Sequence, residues 1–124
     1  MNKLLIKDAT IINEGKRSIE DIYIEGEFIK KIGVGIKLNN EVETINANGF
    51  LVIPGMIDDQ VHFREPGLTH KGDISTESKA AIAGGVTSYI EMPNTIPNTT
   101  TIEEFNNKIK NASNNSFANF SFMF

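Results

Sequence analysis

The sequence predicts an α/β chain in two parts: a β-rich front half, followed by strands that alternate with helices. Three observations predict it. Residues 1–53 carry short apolar runs and period-two alternation with no helical period. A Pro54-Gly55 break then changes the grammar. Beyond it, strand-like and helix-like segments follow one another in the order β-α-β-α-β, which predicts parallel strands joined by right-handed crossovers.

In the front half, Leu4-Leu5-Ile6 and Thr10-Ile11-Ile12 flank a polar break, and Asn13-Glu14-Gly15-Lys16 reads as a turn. Asp21-Ile22-Tyr23-Ile24-Glu25 alternates as a half-buried strand does, and Phe28-Ile29-Lys30-Lys31-Ile32 returns after Gly26-Glu27 as the second arm of a hairpin. Glu41-Val42-Glu43-Thr44-Ile45 alternates again. Phe50-Leu51-Val52-Ile53 is apolar throughout, which predicts burial on both faces.

In the second half, Met56–Phe63 reads as a strand. Asp73–Gly85 reads as a helix capped by Asp73 or Ser75, favoured by Ala80, Ala81 and Ala83, and ended by Gly84-Gly85. Val86–Met92 is a second strand, broken by Pro93-Asn94. Thr101–Ala112 is a second helix, with Thr101 as N-cap and Glu103-Glu104 at its positive end. Ile102, Phe105 and Ile109 are its expected apolar stripe, and Asn119–Phe124 begins a third strand. Three parallel strands with two helices leave open sheet edges, and a complete TIM-type (β/α)8 barrel needs roughly 250 residues. The expected architecture is therefore a small β domain at 1–53 and the first β-α units of such a barrel, incomplete, at 54–124. The alternative is a small three-layer domain whose last strand ends the chain.

The 124 residues carry 16 acidic against 12 basic side chains, a net charge of -4 that offers no basic footprint for nucleic acid. The absence of cysteine excludes disulfides and thiolate metal sites and fits a reducing, cytoplasmic setting. No apolar run approaches the length of a signal peptide core or a membrane span, so no membrane partner is expected.

The chemistry concentrates after Pro54. On the strand Met56–Phe63, Asp58, Gln60 and His62 fall at period two on one face, with Arg64 next in line. At the C-terminal end of a barrel strand such side chains face the active site. Two imidazoles at that spacing could share one metal ion, but this chain has one, and Gln60 could lend only a neutral carbonyl oxygen. From spacing alone, a lone His such as His62 is more often a plain hydrogen-bonding residue. His70 lies in a polar loop and reads as solvated or supporting. The Arg64 guanidinium suits a substrate carboxylate, or else an ion pair with Glu65 or Asp73. Asn94, after the strand Val86–Met92, suits an amide or ureide edge, or else an Asx-turn before Pro97; spacing leaves these level. Gly84-Gly85 follows a helix and precedes a strand, the reverse of a phosphate loop's context.

Taken together, the stretches PGMIDDQVHFREPGLTHKGDI, SKAAIAGGVTS and EMPNTIPNT resemble the N-terminal part of a dihydroorotase of the amidohydrolase superfamily. Residues 1–53 are similar to the small β domain that precedes the barrel there. The pair His-Phe-Arg-Glu-Pro-Gly and Met-Pro-Asn-Thr separates this group from most other amidohydrolases, with allantoinases and hydantoinases as near relatives. The resemblance implies a zinc-dependent cyclic amidohydrolase that interconverts dihydroorotate and N-carbamoyl-aspartate in pyrimidine synthesis. One or two zinc ions would polarise the ring carbonyl and activate water. It further implies that His62 is the second histidine of a His-x-His metal pair, that Arg64 binds the substrate carboxylate, and that Asn94 helps to hold it. Gln60 stands where the family has the first histidine, which weakens that metal position and opens a third reading, a non-catalytic homologue acting as a structural partner. The remaining metal ligands and the catalytic aspartate of the family fall on later strands, so these 124 residues are expected to be inactive alone. The implied partner is the small-molecule substrate; a homo-oligomer is also admitted.

Overall fold

The computed structural model describes residues 2–124 and divides into two compact units, Met1–Pro54 and Gly55–Phe124. The first unit is a β-sheet. Strand β1 (Lys3–Asn13) turns at Glu14-Gly15 into β2 (Lys16–Glu25), which turns at Gly26 into β3 (Phe28–Gly33). These three are antiparallel, and β4 (Glu43–Asn46) and β5 (Leu51–Val52) add in parallel along β1. The polar break expected near residue 8 is a β-bulge within one continuous strand. The register slips between Ile6 and Ala9, and Asp8 takes a φ of 57°. Asp21 on β2 secures the bulge. Its carboxylate accepts the Asp8 N–H at 3.0 Å and the Ile36 N–H at 2.8 Å, and these donors hold its pKa below the ordinary value. Leu5, Ala9, Ile22, Ile36 and Ala47 form the buried interior.

One expectation for this unit fails. Phe50-Leu51-Val52-Ile53 is not a doubly buried strand: Phe50, Leu51 and Ile53 are each more than 60% exposed. Among the described residues this run pairs on one side alone, with β1, through Leu51–Val52 and the Phe50 carbonyl, so an apolar run here marks an edge segment of the sheet rather than its centre.

The second unit has the expected order: β6 (Met56–Val61), α1 (Ile74–Ala83), β7 (Val86–Glu91), α2 (Ile102–Asn115) and β8 (Asn119–Phe122). The strands lie parallel in the order β6-β7-β8. Asp73 caps α1 by accepting the Thr76 N–H at 2.8 Å, and Thr101 caps α2 by accepting the Glu104 N–H at 3.2 Å. The helices cover one face of the sheet. Phe63, Tyr89 and Ala118 pack together with Val61, Ala81 and Phe120; Ile74, Ala112 and Phe122 pack with Phe105 and Ile109. Phe63 and Tyr89 pack with ring centroids 4.4 Å apart and planes tilted by 48°, and the Tyr89 hydroxyl meets Ser116 Oγ at 3.1 Å, so the buried phenol is satisfied. Ser78, fully buried on α1, accepts the Phe117 N–H and ties the helix to the entry of β8.

The apolar stripe of α2 differs from its sequence period. Ile102 is 68% exposed, whereas Lys108 is 2% exposed among Phe105, Ile109 and Ala112. Ile102 is the first helical residue, ahead of the stretch that reaches the sheet. No helix among the described residues is long and apolar enough to cross a membrane.

Candidate functional site

The site residues lie where β6 and β7 end. Strand β6 stops at Val61, two residues earlier than the sequence suggests, and a bulge lies just before that end. Asp58 pairs with Tyr89 and Val61 with Glu91, so three steps on β6 match two on β7. This extra residue reverses the side-chain parity. Gln60 and His62 still share a face, because Val61 and Phe63 between and beyond them turn to the core. Asp58 does not join that row. Its carboxylate reaches forward along the chain to accept the Gln60 N–H at 3.1 Å. The expected period-two set of Asp58, Gln60 and His62 is thus reduced to Gln60 and His62.

His62 is exposed and lies against Asn94, with Nδ1 3.0 Å from Asn94 Oδ1. With the amide oxygen toward the ring, Nδ1 donates and Nε2 keeps its lone pair. Asn94 is therefore not spent on an Asx-turn; it fixes the tautomer that leaves Nε2 free. Pro93 O instead receives the Thr95 and Thr99 N–H groups, and Thr95 Oγ1 donates to Pro97 O.

Arg64 takes a φ of 74°, and its N–H donates to Glu91 Oε1 at 2.9 Å. No salt bridge engages its guanidinium among the described residues, so neither Glu65 nor Asp73 claims it. Glu65 is occupied elsewhere: its Oε2 accepts the Ile74 N–H at 2.9 Å at the start of α1. Asp73 caps the same helix. The two motif loops are also docked on each other. Ile96 N–H donates to Pro66 O at 3.1 Å, and Gly67, at φ 83°, lies so close to Ile96 that a Cβ would overlap it. His70 is exposed in the loop that follows.

Behind this surface lies a pair that the sequence reasoning missed. Glu91, the last residue of β7, is 1% exposed, and its Oε2 lies 3.2 Å from Lys108 Nζ on α2. Lys108 Nζ also donates to Met92 O at 3.2 Å and sits 5.1 Å from the centre of the Phe122 ring. Burial pushes the Glu91 carboxyl up and the Lys108 ammonium down, each opposed by the partner's charge. The signal that could have found the pair is a lysine inside the apolar stripe Phe105-Ile109-Ala112, opposite a strand that ends on a glutamate.

A protein-bound zinc ion takes at least three protein ligands of nitrogen, sulfur or carboxylate type. His62 Nε2 suits such an ion. Gln60 supplies only a neutral oxygen, and no group of three His, Cys, Asp or Glu side chains converges among the described residues. The described residues thus offer one good ligand and do not by themselves form a complete zinc site.

Comparison with known proteins places these features. The family model described as dihydro-orotase-like matches residues 49–120. The dihydroorotase of Trichlorobacter lovleyi is 45% identical over 96 residues, covering 76% of this chain and 23% of that protein. The dihydroorotase of Staphylococcus aureus strain Mu50 is 43% identical over 101 residues, covering 82% of this chain and 24% of that protein. Among solved structures, an L-hydantoinase (dihydropyrimidinase) from Arthrobacter aurescens superposes with a TM-score of 0.92 at 29% identity, over 98% of this chain and 27% of the other. A D-hydantoinase (dihydropyrimidinase) from a Thermus species gives 0.80 at 36% identity, over 98% and 27%. The chain spans about a quarter of the length of the curated relatives it matches.

Proposed function

The chain belongs to the dihydroorotase-like family, and from that membership we propose that the whole protein opens and closes the cyclic amide of dihydroorotate, with N-carbamoyl-aspartate as the open form. One observation carries this reading. His62 and Asn94 touch at the ends of two adjacent parallel strands, and Arg64, two residues beyond His62, is held by its backbone N–H on Glu91, with no ion pair on its guanidinium among the described residues. An arginine with no ion pair among the described residues, next in the chain to this pair, suits a substrate that carries a carboxylate, which dihydroorotate does. In this reading residues 54–124 open the hydrolase barrel and residues 1–53 form the small β domain before it. The curated relatives are dihydroorotases and the solved neighbours include hydantoinases, which agrees with this reading.

The proposed cofactor is zinc, for which His62 is this chain's ligand and Gln60 a weak second. When bound, zinc supplies Lewis-acid polarisation of the ring carbonyl and an activated water. The chain's own residues do the rest at this corner: Asn94 orients the imidazole, and Arg64 holds the carboxylate. The family resemblance puts the catalytic aspartate and the remaining metal ligands on later strands, so turnover is assigned to the whole protein in the cytoplasm and not to this segment alone.

The test is direct. Purified whole protein should hydrolyse dihydroorotate and lose the activity to a chelator, recovering it with added zinc. Arg64→Ala should raise KM by roughly 30-fold or more, the loss of one bidentate charge-assisted contact. The hydantoinase-like neighbours support a second reading, a hydrolase of uncharged cyclic ureides. Faster turnover of hydantoin than of dihydroorotate, with Arg64→Ala nearly silent, would select that reading. No turnover of either, with no zinc retained, would select the non-catalytic homologue that Gln60 suggests.

A further inference from the structure

We propose that the buried pair Glu91–Lys108 is the positioning device of the substrate-binding corner, holding Arg64 and the Met92-Pro93-Asn94 turn in one fixed relation. The inference rests on the reading of Arg64 as carboxylate receptor. Three observations carry it. First, the Glu91 carboxylate divides its two oxygens between two tasks: Oε1 takes the Arg64 N–H at 2.9 Å, and Oε2 faces Lys108 Nζ at 3.2 Å. Second, Lys108 also holds Met92 O at 3.2 Å, the first residue of the turn that carries Asn94. The residues that leave β6 and β7 are thus fastened to one ion pair, and Asn94 passes the constraint on to His62.

Third, Arg64 needs fastening. A non-glycine residue at φ 74° sits in the left-handed region, which persists only when its surroundings over-determine it. Besides the Glu91 bond, the Arg64 backbone has the Leu68 N–H on its carbonyl at 3.1 Å. A buried ion pair is a poor way to gain stability, because desolvation offsets its attraction. Apolar residues would fill the space between β7, α2 and Phe122 at no greater cost. What apolar residues cannot do is accept the Arg64 N–H and hold Met92 O. Lys108 acts here through Glu91 and the Met92 carbonyl from a buried position, so both are positioning residues.

The experiment uses the whole protein and a set of variants chosen to separate positioning from folding. Lys108→Met leaves Glu91 buried without its counter-charge. It should raise KM for dihydroorotate about tenfold with kcat little changed, and it should raise KM less than about twofold in an Arg64→Ala background. The Arg64 amide should exchange with solvent at least about tenfold faster, while the Phe105 amide inside α2 stays protected. Two neutral double variants cover the case in which the single variant fails to fold. Glu91→Gln with Lys108→Met keeps an oxygen for the Arg64 N–H but drops the hold on Met92 O, so Arg64 exchange should stay near the parent while KM rises, by less than in Lys108→Met. Glu91→Leu with Lys108→Met folds without a buried charge but offers no acceptor, and should show the raised KM and fast exchange. Equal KM effects with and without Arg64, or unchanged Arg64 exchange in the Leu/Met variant, would overturn the proposal. If the parent does not turn over dihydroorotate, the functional reading has failed instead, and the exchange of Arg64 alone decides whether Glu91 and Lys108 hold that loop.

Discussion

Gly67 shows how tightly single residues are bound into this site. Its φ of 83° disfavours any side chain, and a Cβ would overlap Ile96 of the facing loop. Gly67→Ala should cost about 2 kcal/mol or more, read as a lower midpoint in chemical denaturation, because both backbone strain and steric overlap must be relieved. The same change should weaken substrate binding, since the loops it separates carry Arg64 and Asn94. Asn94→Ala would free the His62 ring. The expected result is weaker zinc retention in the whole protein, by about tenfold in dissociation constant, as for the loss of a partner that orients a metal-binding imidazole. Unchanged zinc affinity would show that Asn94 does not orient His62.

At the scale of elements, caps and bulges set where each strand and helix begins and ends. Asp73 and Glu65 together satisfy the start of α1, with Asp73 on the Thr76 N–H and Glu65 on the Ile74 N–H. Loss of the Asp73 cap in Asp73→Ala should cost about 1 kcal/mol. Asp21 does comparable work for β1, and its contribution carries a pH signature. Its folded-state pKa is depressed below 3.8 by backbone donors, so its stabilisation is complete above the ordinary carboxylate range and is lost as pH falls through the folded value. Asp21→Asn should therefore lower stability by about 2 kcal/mol at neutral pH, and the gap to the parent should narrow in acid below that range. Urea unfolding at several pH values checks this; a gap that persists in acid would contradict it.

At the scale of the whole molecule, each unit leaves much apolar surface uncovered. In the second unit Met56, Ile57, Ile96, Ile102, Phe117 and Phe124 are each more than half exposed, and β6 and β8 both present an unpaired edge among the described residues. In the first, Phe28, Ile29, Val34, Phe50 and Ile53 are similarly open. Open edges beside apolar surface favour association. The 124-residue chain on its own should therefore be oligomeric or poorly soluble, with light scattering that rises with concentration. A monodisperse monomer with a sharp reversible transition would contradict this. These residues cover about a quarter of the dihydroorotases they match.

The sequence by itself determined the order of elements and the Thr101 cap, and narrowed the α1 cap to Asp73 or Ser75, because apolar period, Pro-Gly punctuation and Asp, Ser or Thr before a helix act within a few residues. It also placed His62, Arg64 and Asn94 at strand ends, through motifs carried in single stretches. Tertiary structure decided what those stretches could not contain. The β6 bulge took Asp58 out of the row with Gln60 and His62, since parity depends on pairing with β7. The apolar run 50–53 lies at a sheet edge, since hydrophobicity does not say how many neighbours a strand has. Glu91 and Lys108 are 17 residues apart in sequence. They meet only because α2 packs on the sheet, and each is an ordinary charged residue until burial removes the water that would otherwise separate them.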